Sequence, residues 1–184
     1  ARGKAYTGVD FWEVSPDGNY LAYGADYTGY REYTVYVKDL RTGELLPDRL
    51  ERVDDVTWAG DSATLFYVQQ NAAKRPDRLF RHKLGTSRDR LLWEEKDELF
   101  NLGVGATRSE AWIVATSSSK DTSEVRVLPA IQPEAPLRTV ARRRTGHEYY
   151  VDHHGGEFWI RTNDKGKNFR LVRAPATDPV QRNW

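Results

Sequence analysis

The sequence predicts an all-β chain built as consecutive four-stranded blades of a β-propeller. Three observations carry that reading. A pattern of apolar run, turn and apolar run occurs four times, with turns that begin at Ser15, Ala59, Thr107 and His153, at steps of 44, 48 and 46 residues. A third strand-like run follows each hairpin, and a more polar fourth run follows the first three. Helical periodicity is nearly absent; residues 88–100 come nearest, but Trp93 and their place in the repeat favour a strand and then a loop. Four strands per unit at a period of roughly 40–50 residues is a propeller signature. Unrelated hairpins in a β-sandwich are the competing architecture.

The elements follow in order. In the first unit, Ser15-Pro16-Asp17-Gly18 is a turn because Pro16 presets φ and Gly18 accepts positive φ. Strand-like runs at 33–38 and 44–46 complete that unit. The second unit pairs 56–58 with 64–67 across Ala59-Gly60-Asp61-Ser62, and continues at 78–83 and 90–93. The third turns at Thr107-Arg108-Ser109-Glu110 and continues at 124–128 and 137–141. The fourth turns at His153-His154-Gly155-Gly156, continues at 169–173 and has no fourth run. The units fall at 8–52, 53–98, 99–144 and 145–184. Inner strands are apolar because they face neighbouring blades, and the outermost is polar because it faces water. Four units make either a small ring or an arc of a larger one. The absence of any Met and the short last unit favour an arc from a longer protein.

Composition narrows the function classes. Lys plus Arg is 28 against 27 for Asp plus Glu, so a net charge of +1 offers no general attraction to nucleic acid or an anionic membrane. No apolar run approaches the ~18 residues of a membrane helix. The N-terminal residues Ala1-Arg2-Gly3-Lys4 lack the apolar segment of a secretory signal. With no Cys there is no disulfide or thiolate chemistry, and a reducing, cytoplasmic setting is expected.

The residues that invite chemistry have plainer readings. Gly60-Asp61-Ser62-Ala63-Thr64 is the nearest approach to a Gly-x-Ser-x-Gly elbow, but it lacks the second Gly and lies in a hairpin turn. His153 and His154 are adjacent on a strand and point to opposite faces, so with His147 they make a poor chelate; no metal is expected. Arg142-Arg143-Arg144 reads as a solvated loop or a protein contact rather than a nucleic-acid stripe. Gly103-Val104-Gly105 has no third Gly and no helix after it, which argues for a strand packed closely at a propeller axis rather than for phosphate binding. No catalytic residue and no cofactor are expected within the chain.

Ordered runs then become informative. Ser15-Pro16-Asp17-Gly18, Asp39-Leu40-Arg41-Thr42-Gly43-Glu44 and Trp58-Ala59-Gly60-Asp61-Ser62 resemble the propeller of the prolyl oligopeptidase family. His82-Lys83-Leu84-Gly85-Thr86, Arg143-Arg144-Thr145-Gly146-His147-Glu148-Tyr149 and Gly166-Lys167-Asn168-Phe169 are similar to its oligopeptidase B branch, which is specific for Lys and Arg. The resemblance covers nearly the whole chain. It implies about four blades of a seven-bladed propeller, joined in the parent to a C-terminal α/β-hydrolase domain that carries the catalytic Ser, Asp and His and is absent here. The parent is then a serine-type endopeptidase of short basic peptides, and this chain alone is inactive.

The resemblance also implies a face. Loops between the second and third strands share one side with the loops between blades, and in the family that side looks toward the catalytic domain. Here it contains 26–32, 51–55, 71–77, 97–103, 117–122, 142–148 and 163–167. Arg31, Glu51, Asp54 and Asp55 are the interdomain or gating candidates. The competing functions are a free-standing scaffold that binds proteins and the propeller of a prolyl oligopeptidase proper. An arc also leaves blade faces uncovered near Phe11-Trp12 and Phe158-Trp159, where self-association is expected.

Overall fold

The computed structural model describes residues 3–184. Four antiparallel sheets follow one another, each with its strands in chain order. The first contains β1 (Gly8–Val14), β2 (Tyr20–Asp26), β3 (Thr34–Asp39) and β4 (Leu45–Leu50). The second contains β5 (Val53–Trp58), β6 (Thr64–Gln70), β7 (Pro76–Lys83) and β8 (Arg90–Glu94). The third contains β9 (Asn101–Ala106), β10 (Trp112–Ser118), β11 (Ser123–Pro129) and β12 (Arg138–Ala141). The fourth has three strands, β13 (Tyr149–His154), β14 (Glu157–Thr162) and β15 (Arg170–Pro175), and a 3-10 turn at Gln181–Asn183 follows. Among the described residues no helix is long and apolar enough to cross a membrane.

Turn chemistry sets the hairpins. Ser15 Oγ donates to Asp17 Oδ1 at 2.6 Å, and Asp17 accepts the Asn19 amide at 3.0 Å. These bonds, the one from Ser15 first, hold the Asp17 carboxyl down at about 2. In the second hairpin Asp61 accepts the amides of Ala63 and Thr64, and Ser62 takes φ 54°. The fourth hairpin is tighter than its sequence predicts. His153 and His154 pair with Phe158 and Glu157 in the ladder, and Gly155-Gly156 alone makes the turn, at φ 60° and 85°. Two successive positive-φ residues suit the right-handed twist of a two-residue hairpin.

The core lies between sheets rather than within any one of them. Ala22, Val35, Val37 and Leu50 meet Val53, Val56, Trp58, Leu65 and Tyr67 in the first seam. Phe66, Val68, Leu79 and Trp93 meet Leu102, Val104, Ile113, Ala115 and Leu128 in the second. Val125, Val127 and Val140 meet Tyr149, Phe158, Ile160 and Ala174 in the third.

The uncovered faces differ from the expectation. Phe158 is wholly buried in the third seam, whereas Trp159, its neighbour on β14, points outward. Phe11 packs into the first seam from a register shift in β1, and its ring lies against Gly24, where an added Cβ would come within 2.3 Å of Phe11 Cζ. Trp12 is 64% exposed. The free faces therefore present Val9, Trp12 and Val14 at one end and Tyr150, Trp159 and Leu171 at the other.

The third seam carries a buried staple. The Tyr149 hydroxyl accepts the amides of Val125 (2.7 Å) and Ala141 (3.1 Å) and donates to the Ala141 carbonyl, where the β11–β12 register shifts. Tyr149→Phe leaves two buried N–H groups without an acceptor. It is expected to lower stability by about 1–3 kcal/mol, read as a lower urea midpoint at unchanged slope.

Candidate functional site

Antiparallel meanders bring the β2–β3, β6–β7, β10–β11 and β14–β15 loops to the same side as the links between sheets. The first loop is built on Asp26, which is buried. Its Oδ1 accepts the Thr28 amide and hydroxyl, each at 2.7 Å, and its Oδ2 accepts the Arg31 amide at 2.8 Å. This fixes Arg31 at φ 59° and leaves Tyr30 70% exposed. Among the described residues no hydrogen bond or ion pair engages the Arg31 guanidinium. From the next loop Lys74 donates to the Tyr30 carbonyl and stands 3.9 Å from Glu32.

A buried polar chain continues across the same side. Arg75 reaches the Phe100 carbonyl (2.9 Å), the Glu95 carbonyl (3.1 Å) and Asp77 (3.2 Å). Glu95 accepts the Ser117 hydroxyl at 2.7 Å and pairs with Arg143, whose guanidinium lies 4.0 Å from the Phe100 ring centre. Burial works against ionisation of Glu95, but the bonds from Arg143 and Ser117 outweigh it and hold the carboxyl below its ordinary value. Arg142 and Arg144 are exposed, so the basic run divides into one structural and two solvated residues. Leu99, in the link that Arg75 grips, is 78% exposed on this side.

The four candidates from the sequence do not form one cluster. Arg31 projects from its loop as described. Glu51 is exposed, and its carbonyl accepts Gln69 Nε2 at 3.0 Å. Asp54 accepts Gln70 Nε2 at 2.7 Å. Asp55, one residue on, turns the other way, to the innermost edge of the sheets. Its Oδ2 accepts the Val104 amide at 3.0 Å, supplying a partner for the free edge of β9. It lines a cleft of about 480 Å³ with Gly103, Gly105, Arg108, Thr116 and Asp152. Burial, reinforced by the charges of Asp54 and Glu13, pushes the Asp55 carboxyl up to about 6 against the opposing amide bonds. Burial and then Glu110 likewise raise Glu13. Gly103 and Gly105 are not squeezed at the axis: a Cβ on Gly105 would meet nothing within 4 Å, and one on Gly103 only Asp55 Oδ2 at 3.7 Å.

The remaining polar residues are structural. Ser62 Oγ accepts the Asp17 amide at 3.1 Å. His147 is buried with Nε2 3.0 Å from the Thr162 hydroxyl, and His153 Nδ1 lies 2.8 Å from the Ser109 hydroxyl. The arrangement presents a hydrogen-bonded loop face on one side and, at the innermost edge of the sheets, a cleft that carries Asp55 and the paired Arg108 and Asp152.

Residues 1–184 match the family described as prolyl oligopeptidase, N-terminal β-propeller domain. Dipeptidyl aminopeptidase BI of Pseudoxanthomonas mexicana is 39% identical over 187 residues, covering 99% of this chain and 26% of that protein. Among solved structures, oligopeptidase B from Leishmania major superposes with a TM-score of 0.90 at 28% identity over 97% of this chain and 26% of the other. The closed form of Trypanosoma brucei oligopeptidase B with covalently bound antipain gives 0.85 at 28% identity, with the same coverage. The chain thus spans about a quarter of the length of these relatives.

The raised Asp55 carboxyl has a signed consequence. An unfolded aspartate titrates near ~3.9, so the folded state holds this proton to higher pH. The resulting stabilisation is complete below that value and is lost as pH rises through about 6. Asp55→Asn keeps an acceptor for Val104 without the charge. Thermal or urea unfolding is expected to show no difference near pH 4 and a variant more stable by about 1–2 kcal/mol at pH 7.5, after discounting for partial exposure.

Proposed function

Because this chain belongs to the prolyl oligopeptidase N-terminal β-propeller family, we propose that it is the non-catalytic gating domain of a serine oligopeptidase that cleaves short peptides after Lys or Arg. The family match over residues 1–184 carries the reading. The fold likeness to two oligopeptidase B structures supports the choice of branch. The partner is a C-terminal α/β-hydrolase domain that supplies the nucleophile, the base and the oxyanion donors. A cytoplasmic setting belongs to the same proposal.

The mechanism is exclusion. A propeller face held against the catalytic domain admits short flexible peptides and turns away folded proteins, as a lid does. The rigidity of the 26–32 loop matters for this, because a gate built on Asp26 and its bonds to Thr28 and Arg31 presents a fixed edge. Asp55 in the axial cleft, the one lining carboxylate that Arg108 does not engage, favours basic chains. The 39% identity to a dipeptidyl aminopeptidase favours a second reading, in which the parent removes dipeptides. Lys- or Arg-peptides with free and with blocked amino termini separate the two, since only an endopeptidase cleaves both.

In the full-length enzyme, Arg31→Glu is expected to lower kcat/KM on a Lys- or Arg-peptide roughly fivefold, equivalent to ~1 kcal/mol. A compensating charge change across the cleft should recover part of the loss. Unchanged kinetics would return Arg31 to an ordinary solvated charge. The 184-residue chain by itself should leave such peptides intact, and specific cleavage by it would overturn the non-catalytic reading.

The free end faces, with Trp12 and Trp159 at their centres, pack in the parent against segments beyond this chain. The separate chain is expected to associate at high concentration, read as a rising mass in light scattering. A strictly monomeric mass would count against this.

A further inference from the structure

The rims of the first two sheets meet at a buried histidine held between two carboxylates. His82, on β7, is 3% exposed. Its Nδ1 lies 2.7 Å from Asp89 Oδ1, in the loop that leads to β8. Its Nε2 lies 2.9 Å from Asp48 Oδ1, on β4 of the preceding sheet, and the Asp48 side chain is 2% exposed. Both carboxylates are also held by other donors. Asp89 Oδ2 accepts the Tyr67 hydroxyl at 2.6 Å, and Asp48 Oδ1 further accepts the Gly85 amide at 2.7 Å. Asp48 Oδ2 is buried with no hydrogen-bond partner among the described residues.

Counting protons decides what this cluster is. Two N···O contacts require two hydrogens. A neutral imidazole supplies one, and carboxylates supply none. The Tyr67 hydrogen is committed to Asp89, and the Gly85 amide to Asp48. The closed arrangement therefore holds one proton more than a neutral histidine and two carboxylates would hold. We propose that Asp48, His82 and Asp89 form a proton-dependent clasp that locks the rim of the first sheet to the second.

Removing the extra proton sets a nitrogen lone pair against a carboxylate oxygen at less than 3 Å, beside a ring that is itself only 4% exposed. The clasp then opens. Charged and titratable groups stand on each element around it, with Lys83 next to the ring on β7 and Arg88 and Arg90 on either side of Asp89. β4 contributes Asp48 and Arg49, β7 contributes His82 and Arg78, β6 contributes Tyr67, and the following loop contributes Asp89. A cleft of about 460 Å³ bounded by Asp48, His82, Gly85 and Asp89 lies at the joint and gives water a way in once it opens. The sign follows from the proton count. The closed form binds one proton more than the open form above the ordinary histidine value of ~6.5, so the clasp is closed at low pH and loosens as pH rises.

Hydrogen–deuterium exchange of the full-length polypeptide, followed by mass spectrometry from pH 6 to 9 and corrected for intrinsic exchange, tests the clasp. Peptides covering β4 and β7 are expected to open about tenfold more per pH unit above pH ~7, while peptides from β12 and β15 in the third seam stay level. Asp89→Asn removes the need for the extra proton. Its amide nitrogen donates to Nδ1, its oxygen accepts Tyr67, and the neutral ring still donates from Nε2 to Asp48. That variant should keep β4 and β7 protected at every pH. His82→Gln, which has no titrating ring, should also lose the slope. A level wild-type profile overturns the proposal, and so does an unchanged slope in Asp89→Asn. If Asp89→Asn fails to fold, the wild-type and His82→Gln profiles decide.

Discussion

No sheet in this molecule has a core of its own. Each is a single twisted layer with two faces, and burying a face requires a neighbour. Everything else depends on this constraint. It is why apolar residues line both faces of the inner sheets: Leu65 and Tyr67 point back to the first sheet, and Phe66 and Val68 point forward to the third. It also explains why bulky rings lie at the seams, with Trp58 filling one side and Trp93 the other side of the second sheet.

Polar groups at the seams fix how the layers dock. Hydrophobic contact alone would let two sheets slide, because it has no direction. The directional contacts recur at nearly the repeat length. Trp58 Nε1 donates to the Glu13 carbonyl 45 residues earlier, the Arg108 amide to Asp152 44 residues later, and the Val104 amide to Asp55 49 residues earlier. Each ties a position on one sheet to its counterpart on the next. Arg75, Glu95 and Arg143 do the same on the loop side, and their burial makes them sensitive to loss of either partner.

Much of the fold was legible in the sequence because turns and strand periodicity are local. Pro16, Gly18 and the Gly155-Gly156 pair announce their turns to their immediate neighbours, and the short apolar runs of β6 and β10 need no knowledge of the rest. The seams were less legible. Phe158 and Trp159 look alike as adjacent aromatics, and only the side on which the third sheet lies decides that one is buried. Arg143 resembles Arg142 and Arg144 until Glu95 is brought beside it from 48 residues away. Asp54 and Asp55 look interchangeable, yet a register shift in β5 between Val53 and Asp55 sends one toward Gln70 and the other to the axis. His82 carried no signal of its two carboxylates, since Asp48 is 34 residues earlier and on another sheet. The loop face was placed through meander topology, which is local, while the polarity of its interior is not.

The seams at one repeat length have a consequence for how this chain comes apart. The apolar seams join each layer to the layers before and after it, so its cooperativity is close to that of a one-dimensional array with nearest-neighbour coupling. The couplings are unequal. The Tyr149 hydroxyl and the Arg138 bonds to the Ala176 and Thr177 carbonyls stitch the last seam through backbone partners that do not titrate, whereas the first is joined both by Trp58 Nε1 to the Glu13 carbonyl and by the ionisable Asp48 and His82. Loss of a directional contact therefore weakens one link of the array while the others stand, and the protein comes apart as a row of plates, weakest seam first.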